Sequence, residues 1–354
     1  MKSSKKIKVG VSIGDLNGIG GELIVKTFED KRVLEFCTPI IYASIKTMTF
    51  FKQHFSSAIH FNVLKSIDQV AHSKINVINV WNNEVKIEFG KETTQAGRYA
   101  IASFEAAVQD LKTDKIDMLL TAPIHKHNIQ TETFKFPGHT DYLNQELDGQ
   151  SLMFMISDNL RVGLLTDHVP LSEISTHINE DLIRQKIDVI HQSLEMDFGI
   201  RLPKIAVLGI NPHTGDNGVI GTEDDTLLRP VIQSIKASGK LVYGPYAADS
   251  FFGTPNFLNF DAIVASYHDQ GLIPFKTLTF GKGVNFTAGL DKIRVSPDHG
   301  TAFDIAGKGI ANTDSFKQAL FSGLDIYKTR TMNLELYANP LKISKKEGKN
   351  KTNA

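Results

Sequence analysis

The sequence predicts an α/β fold with a largely parallel, mixed sheet. Three observations predict it. Short β-prone runs alternate with helical patterns, the order that builds β–α–β units. The clearest helical pattern, Thr94 to Leu111, puts Ala100, Ile101, Phe104, Ala107, Val108 and Leu111 on one face. A length of 354 residues suits two domains or one large α/β unit.

In chain order, Lys8 to Ile13 is the first expected strand. Gly14 to Gly21 then turns into a helix from Glu22 to about Phe28. This is read as a tight βα turn or as an anion seat at a helix N-terminus; it is not a clean G-x-G-x-x-G. Further strands are expected at Pro39–Ala43, Ile75–Val80, Met118–Thr121, Ser151–Ile156, Leu160–Leu165, Ile205–Ile210 and Ala262–Ser266. Helices are expected over Asp141–Leu147, with Thr140 a candidate N-cap, over Asp181–Leu194, and after Thr222. Glu223, Asp224 and Asp225 are read as first-turn charges of that last helix rather than as catalytic acids. The stretch Asp261–Lys308 is read beyond its opening strand as a long loop, rich in glycine and cations. It carries Lys276, Lys282, Asn285 and Arg294 and ends near Ser296-Pro297-Asp298-His299-Gly300, a composition that suits an anionic ligand. The basic tail, Lys342 to Ala354, is expected to be disordered.

Composition excludes some partners. Lys+Arg is 39 and Asp+Glu is 39, so the formal net charge is 39 − 39 = 0. That balance gives no reason to expect nucleic acid or an anionic membrane. Cys37 is the only cysteine, so no intrachain disulfide forms; in its apolar run it is expected to be buried rather than nucleophilic. The basic N-terminus lacks a signal-peptide core, and no run approaches a membrane span, so a cytoplasmic location is expected.

Three expected strands end on histidine. LRVGLLTDH ends at His168, KIAVLGINPH at His213, and DAIVASYHD carries His268. Ligands of open α/β sheets bind beyond strand carboxyl ends, so three such residues can meet at one metal ion. Each alone is more naturally a structural residue. A three-His set favours Zn²⁺ or Co²⁺ over Mg²⁺, with Asp167 and Asp269 placed to orient the imidazoles. Lys126, after the Met118–Thr121 strand, is a further cleft candidate, and His139-Thr140 a plausible phosphate seat.

The motifs PGHT (137–140), DHVPL (167–171), NPHTGDNGVIGTE (211–223), YHDQGLIPFK (267–276), GKGVNFTAGL (281–290) and DHGTAFDIAG (298–307) carry a resemblance. They resemble the 4-hydroxythreonine-4-phosphate dehydrogenase family of pyridoxal phosphate biosynthesis, within the wider isocitrate/isopropylmalate dehydrogenase-like group. The resemblance implies two α/β/α domains with the active-site cleft between them. The expected division is 1–135 with 305–341 against 136–304. It implies metal ligation (Zn, Co or Mg) by His168, His213 and His268. It implies substrate contacts from His139, Thr140, Lys276, Asn285 and Arg294. It further implies NAD as cofactor, through residues the sequence does not identify, and a homodimer whose active sites lie at the subunit interface. In that division His168 and His213 come from one chain and His268 from the other. The implied reaction oxidises 4-phosphooxy-L-threonine and decarboxylates it to 3-amino-2-oxopropyl phosphate. The nearer alternative is a dehydrogenase of threonate or erythronate 4-phosphate; the alternative from another class is a metal-dependent phosphoesterase or a phosphate-ester-binding protein. Leu16-Asn17 and Gly21 depart from the family pattern.

Overall fold

The first strand, β1 (Ile7–Ser12), is buried along nearly its whole length, as a strand covered on both faces must be. The same holds for β2 (Cys37–Ala43). In a computed structural model of the chain, which describes residues 6–130, 134–136 and 138–338, these strands join a single twelve-stranded sheet. The others are β3 (Phe61–Leu64), β4 (Ile75–Asn79), β5 (Met118–Thr121), β6 (Gly149–Ile156), β7 (Arg161–Leu164), β8 (Lys204–Leu208), β9 (Leu241–Tyr246), β10 (Ala262–Ala265), β11 (Val284–Leu290) and β12 (Arg294–Pro297). Their order is β3-β4-β2-β1-β5-β12-β11-β6-β7-β10-β8-β9.

Strand sense decides where a ligand can sit. From β3 to β12 every pairing is parallel. β11 then runs against β12, β6 against β11, and β7 against β6. Beyond β7 the pairings with β10, β8 and β9 are parallel again. Three reversals leave the two parallel blocks pointing in opposite directions. The carboxyl end of β5 and those of β7 and β10 therefore lie at opposite edges of the sheet. A cavity touching both must lie over the face of the bridging strands β12, β11 and β6. The expected division between 1–135 and 136–304 falls between β5 and β12, where the sheet continues unbroken.

The stretch after β10 is not a long loop. It holds a helix, His268–Thr279, and the strands β11 and β12. Its glycines misled the reading because one serves packing, not flexibility. A Cβ on Gly271 would lie 2.9 Å from both Ala265 Cβ and Leu164 Cδ2, so the glycine lets the helix settle onto β10 and β7. Strands β3 and β9 were also not foreseen. The helix expected from Asp141 starts at His139 and is flanked by Gly138, so Thr140 lies in its first turn and is not its N-cap. Pro137 and the 342–354 tail lie outside the described residues.

Both departures from the family pattern have packing partners. The Asn17 side chain donates to the Lys91 carbonyl (2.9 Å) and Thr93 Oγ1 (3.0 Å), and accepts from the Glu88 N–H (2.8 Å), so it clasps the 88–93 segment. A Cβ on Gly21 would meet the Phe51 ring at 2.5 Å. The turn itself is closed: the Ile19 N–H donates to the Thr301 carbonyl, and Gly20 and Gly21 are buried, which favours the tight-turn reading over an open anion seat. Cys37 is fully buried, and burial pushes its thiol up to about 12, so it stays protonated. Among the described residues no helix is long and apolar enough to cross a membrane.

Candidate active site

A cavity of about 240 Å³ lies over the bridging strands. Alternation along each strand sends every second side chain toward it. Asn285 of β11 stands opposite Ser296 of β12 on one side and Met155 of β6 on the other. Ser296, Asn285 and Met155, with Arg294 and Met153, form the floor. Lys126 enters from beyond β5, His168 and His268 from beyond β7 and β10, and His139 and Thr140 from the 139–146 helix.

The floor holds a buried cation. Arg294 is 3% exposed and touches no carboxylate among the described residues. Its Nε and Nη2 donate to Thr121 Oγ1 (3.0 and 2.7 Å), Nη1 to Thr287 Oγ1 (3.2 Å), and Nη2 to His139 Nδ1 (2.8 Å). Burial pulls its pKa down to about 9, so the guanidinium stays charged at neutral pH. A buried charge paired only with neutral groups is costly, on the order of several kcal/mol. The arrangement suits an anion.

The tautomer of His139 follows from this contact. A guanidinium can only donate, so Nδ1 accepts and Nε2 carries the proton. Burial, then the Arg294 charge, holds its pKa well below the ordinary histidine value, so the ring is neutral. Its Nε2–H is buried without a partner, as is the Asn285 Oδ1 acceptor. Buried polar atoms are normally paired, so these two are open to a hydrogen bond with a bound molecule. Lys276, on the 268–279 helix, is exposed at the rim.

His168 and His268 meet in this cavity, with ring centroids 5.9 Å apart. Asp269 Oδ1 accepts from His268 Nδ1 at 2.7 Å, which leaves the Nε2 lone pair free. Lys126 Nζ donates to His168 Nε2 at 2.9 Å, so that lone pair is held by the lysine. Burial and then the Lys126 charge lower the pKa of His168. Asp167 stands farther off, 4.0 Å from His168 Nδ1. His213 does not join them. It sits exposed on a loop beyond β8, and among the described residues no three His, Cys, Asp or Glu side chains gather to hold a metal. Among the described residues one chain thus supplies two imidazoles, one with a free Nε2 lone pair and one whose Nε2 is held by Lys126, and no third donor beside them. The pair that meets is His168 with His268, not the His168 with His213 that the resemblance assigned to one chain.

The His213 loop is itself held. His213, Thr214, Asp216 and Asn217 all adopt positive φ, between 44° and 55°. Asp224, fully buried, accepts from the Ile210 N–H (2.8 Å) and the Asn211 N–H (2.9 Å) and so fastens the base of the loop. Asp224 and Asp225 do stand in the first turn of the helix after Thr222; Asp225 also pairs with Arg229, and Asp224 has the further task of fastening the loop. Thr121, Thr287 and Asp141 escaped the sequence reading as site residues. The period-two pattern of β11 and β12 was the available signal, hidden by reading them as loop.

The family described as "Pyridoxal phosphate biosynthetic protein PdxA" matches residues 35–322. The chain is 44% identical over 339 residues to a 4-hydroxythreonine-4-phosphate dehydrogenase of Bacteroides thetaiotaomicron, covering 95% of this chain and 93% of the relative. It is 36% identical over 327 residues to a D-threonate 4-phosphate dehydrogenase of Cupriavidus necator, covering 91% and 98%. Its fold is similar to a crystal structure of 4-hydroxythreonine-4-phosphate dehydrogenase from Klebsiella pneumoniae, with a TM-score of 0.78, 30% identity, and coverage of 91% and 100%.

Proposed function

The chain belongs to the PdxA family of dehydrogenases in pyridoxal phosphate biosynthesis, and from that premise we propose that it oxidises 4-phosphooxy-L-threonine with NAD. Loss of CO₂ from the oxidised acid then leaves 3-amino-2-oxopropyl phosphate. The observation that carries the reading is the buried, acid-free Arg294 beside the unpartnered Nε2–H of His139. Both call for an anionic group, and a phosphorylated amino acid brings two. The phosphoesterase reading loses its support because the relatives are dehydrogenases.

The residues have separate tasks. Arg294, His139 and Lys276 bind the substrate's anions by charge and donor geometry. Asn285 Oδ1 accepts from a substrate donor. Thr121 and Thr287 hold the guanidinium in place. His168 and His268 would hold a divalent ion, with His213 of a second copy as the third donor in a homodimer. When bound, such an ion supplies Lewis-acid polarisation of the substrate hydroxyl oxygen. NAD supplies the hydride acceptor.

The test is NADH release, measured by absorbance over a panel of four-carbon phosphorylated acids, after exhaustive chelation and again with Zn²⁺, Co²⁺ or Mg²⁺ restored. Turnover of 4-phosphooxy-L-threonine that depends on metal is expected. Phosphate release without NAD, or full activity in verified metal-free protein, would overturn the reading.

A further inference from the structure

We infer that Asp141 takes the α-ammonium of the substrate and so selects a 2-amino acid over the matching 2-hydroxy acid. The inference rests on the dehydrogenase reading above and deepens it. Three carboxylates line the cavity: Asp141, Asp167 and Asp298. Asp298 accepts from Ser315 Oγ at 3.0 Å, and Asp167 accepts from the His168 N–H at 2.8 Å. Asp141 makes no hydrogen bond or ion pair with any described residue. It stands in the first turn of the 139–146 helix, beside His139 and Thr140, and its charge is felt at His168.

Charge matching gives this acid a partner. The cavity offers three cations, Lys126, Lys276 and Arg294, of which Lys126 already donates to His168. A phosphate and a carboxylate on the substrate use Lys276 and Arg294. Of the three cavity carboxylates, Asp167 and Asp298 accept from protein donors, and the exposed Asp141 is the one left to complement an ammonium group. A 2-hydroxy acid such as threonate 4-phosphate brings the same two anions and no cation, so it leaves Asp141 beside a neutral hydroxyl. The simpler account is a first-turn acid that complements the helix N-terminus. That role needs no cavity, and it makes no distinction between two substrates that differ only at C2.

The experiment measures kcat/KM of the metal- and NAD-loaded enzyme for 4-phosphooxy-L-threonine and for threonate 4-phosphate. It compares wild type, Asp141→Asn and Asp141→Glu. Removing the charge is expected to lower the amino-acid to hydroxy-acid ratio about tenfold or more, mainly through KM, the loss of one charge-assisted hydrogen bond. Asp141→Glu is expected to recover most of the ratio. A change acting through His168 or through folding would scale both substrates alike and leave the ratio fixed, and a fixed ratio overturns the inference. If wild type oxidises neither compound, the parent reading fails, and the inference with it.

Discussion

Arg294 shows how a single residue trades stability for binding. Its charge is buried against two threonines and a neutral imidazole. Replacing a poorly compensated buried ion with an apolar side chain of similar volume is often neutral or stabilising, by about 1–4 kcal/mol. Arg294→Met is therefore expected to keep or raise the Tm of the ligand-free protein while abolishing substrate binding. A clear fall in Tm by differential scanning calorimetry would show that the cation is required for folding. His139 gives a pH signature with a definite sign. Its folded pKa lies well below the unfolded value near 6.5. Above that value both states are neutral and nothing is lost. As pH falls below about 6.5 the unfolded chain binds a proton that the folded ring refuses, so stability falls. The wild-type Tm is expected to drop more steeply than that of His139→Gln between pH 6.5 and 5; parallel curves would contradict this origin.

At the scale of elements, the 268–279 helix matters most, because it carries both His268 and Lys276. Its seat depends on Gly271, where even a methyl group would press on Ala265, Leu164 and Val162. Gly271→Val is expected to cost about 1–3 kcal/mol by overpacking and to weaken substrate binding as the helix lifts. Urea titration with a substrate-binding assay checks it; a stable, fully binding variant would refute the tight seat. This helix also marks the limit of what the sequence tells. Except for β3 and β9, the strands of the parallel blocks read cleanly because β-prone apolar runs such as Met118–Thr121 sit between strong helical patterns. The 139–146 helix was legible to within two residues at its start. Of the bridging strands, β6 was legible as Ser151–Ile156, but β11 and β12 were not, because their cleft-facing positions carry Asn285, Thr287, Arg294 and Ser296, polar residues whose burial only the folded cleft explains. The proposed substrate residues were thus reached by motif, with the wrong local structure around those of β11 and β12. Where His213 goes was beyond a single chain's sequence for another reason: strand-end position does not say which loops turn toward each other and which turn outward.

At the scale of the whole molecule, the geometry within one chain makes a sharp statement about a dimer. If His168 and His268 work with His213 of a second copy, two mixtures of inactive variants separate the alternatives. His168→Ala mixed with His213→Ala gives mixed dimers in which one cleft carries both lesions and the other none. Random exchange then restores about a quarter of all sites. His168→Ala mixed with His268→Ala restores none. The division that pairs His168 with His213 in one chain gives the reverse result, and a site held by one chain alone gives no recovery in either mixture. Chain exchange is checked by mass spectrometry.

The unbroken sheet across the cleft has a consequence for motion. Many two-block enzymes open by bending a hinge between halves, but here the floor between the halves is itself a ladder of backbone hydrogen bonds running β5-β12-β11-β6. Opening at the floor would break that ladder. Movement is left to the rim: the 139–146 helix and the segment after Asp298. Amide hydrogens of β11 and β12 are therefore expected to exchange slowly with solvent deuterium whether or not substrate is present, while those of the rim slow on binding. Ligand-dependent exchange concentrated in β11 and β12 would mean that the enzyme breathes through its floor after all.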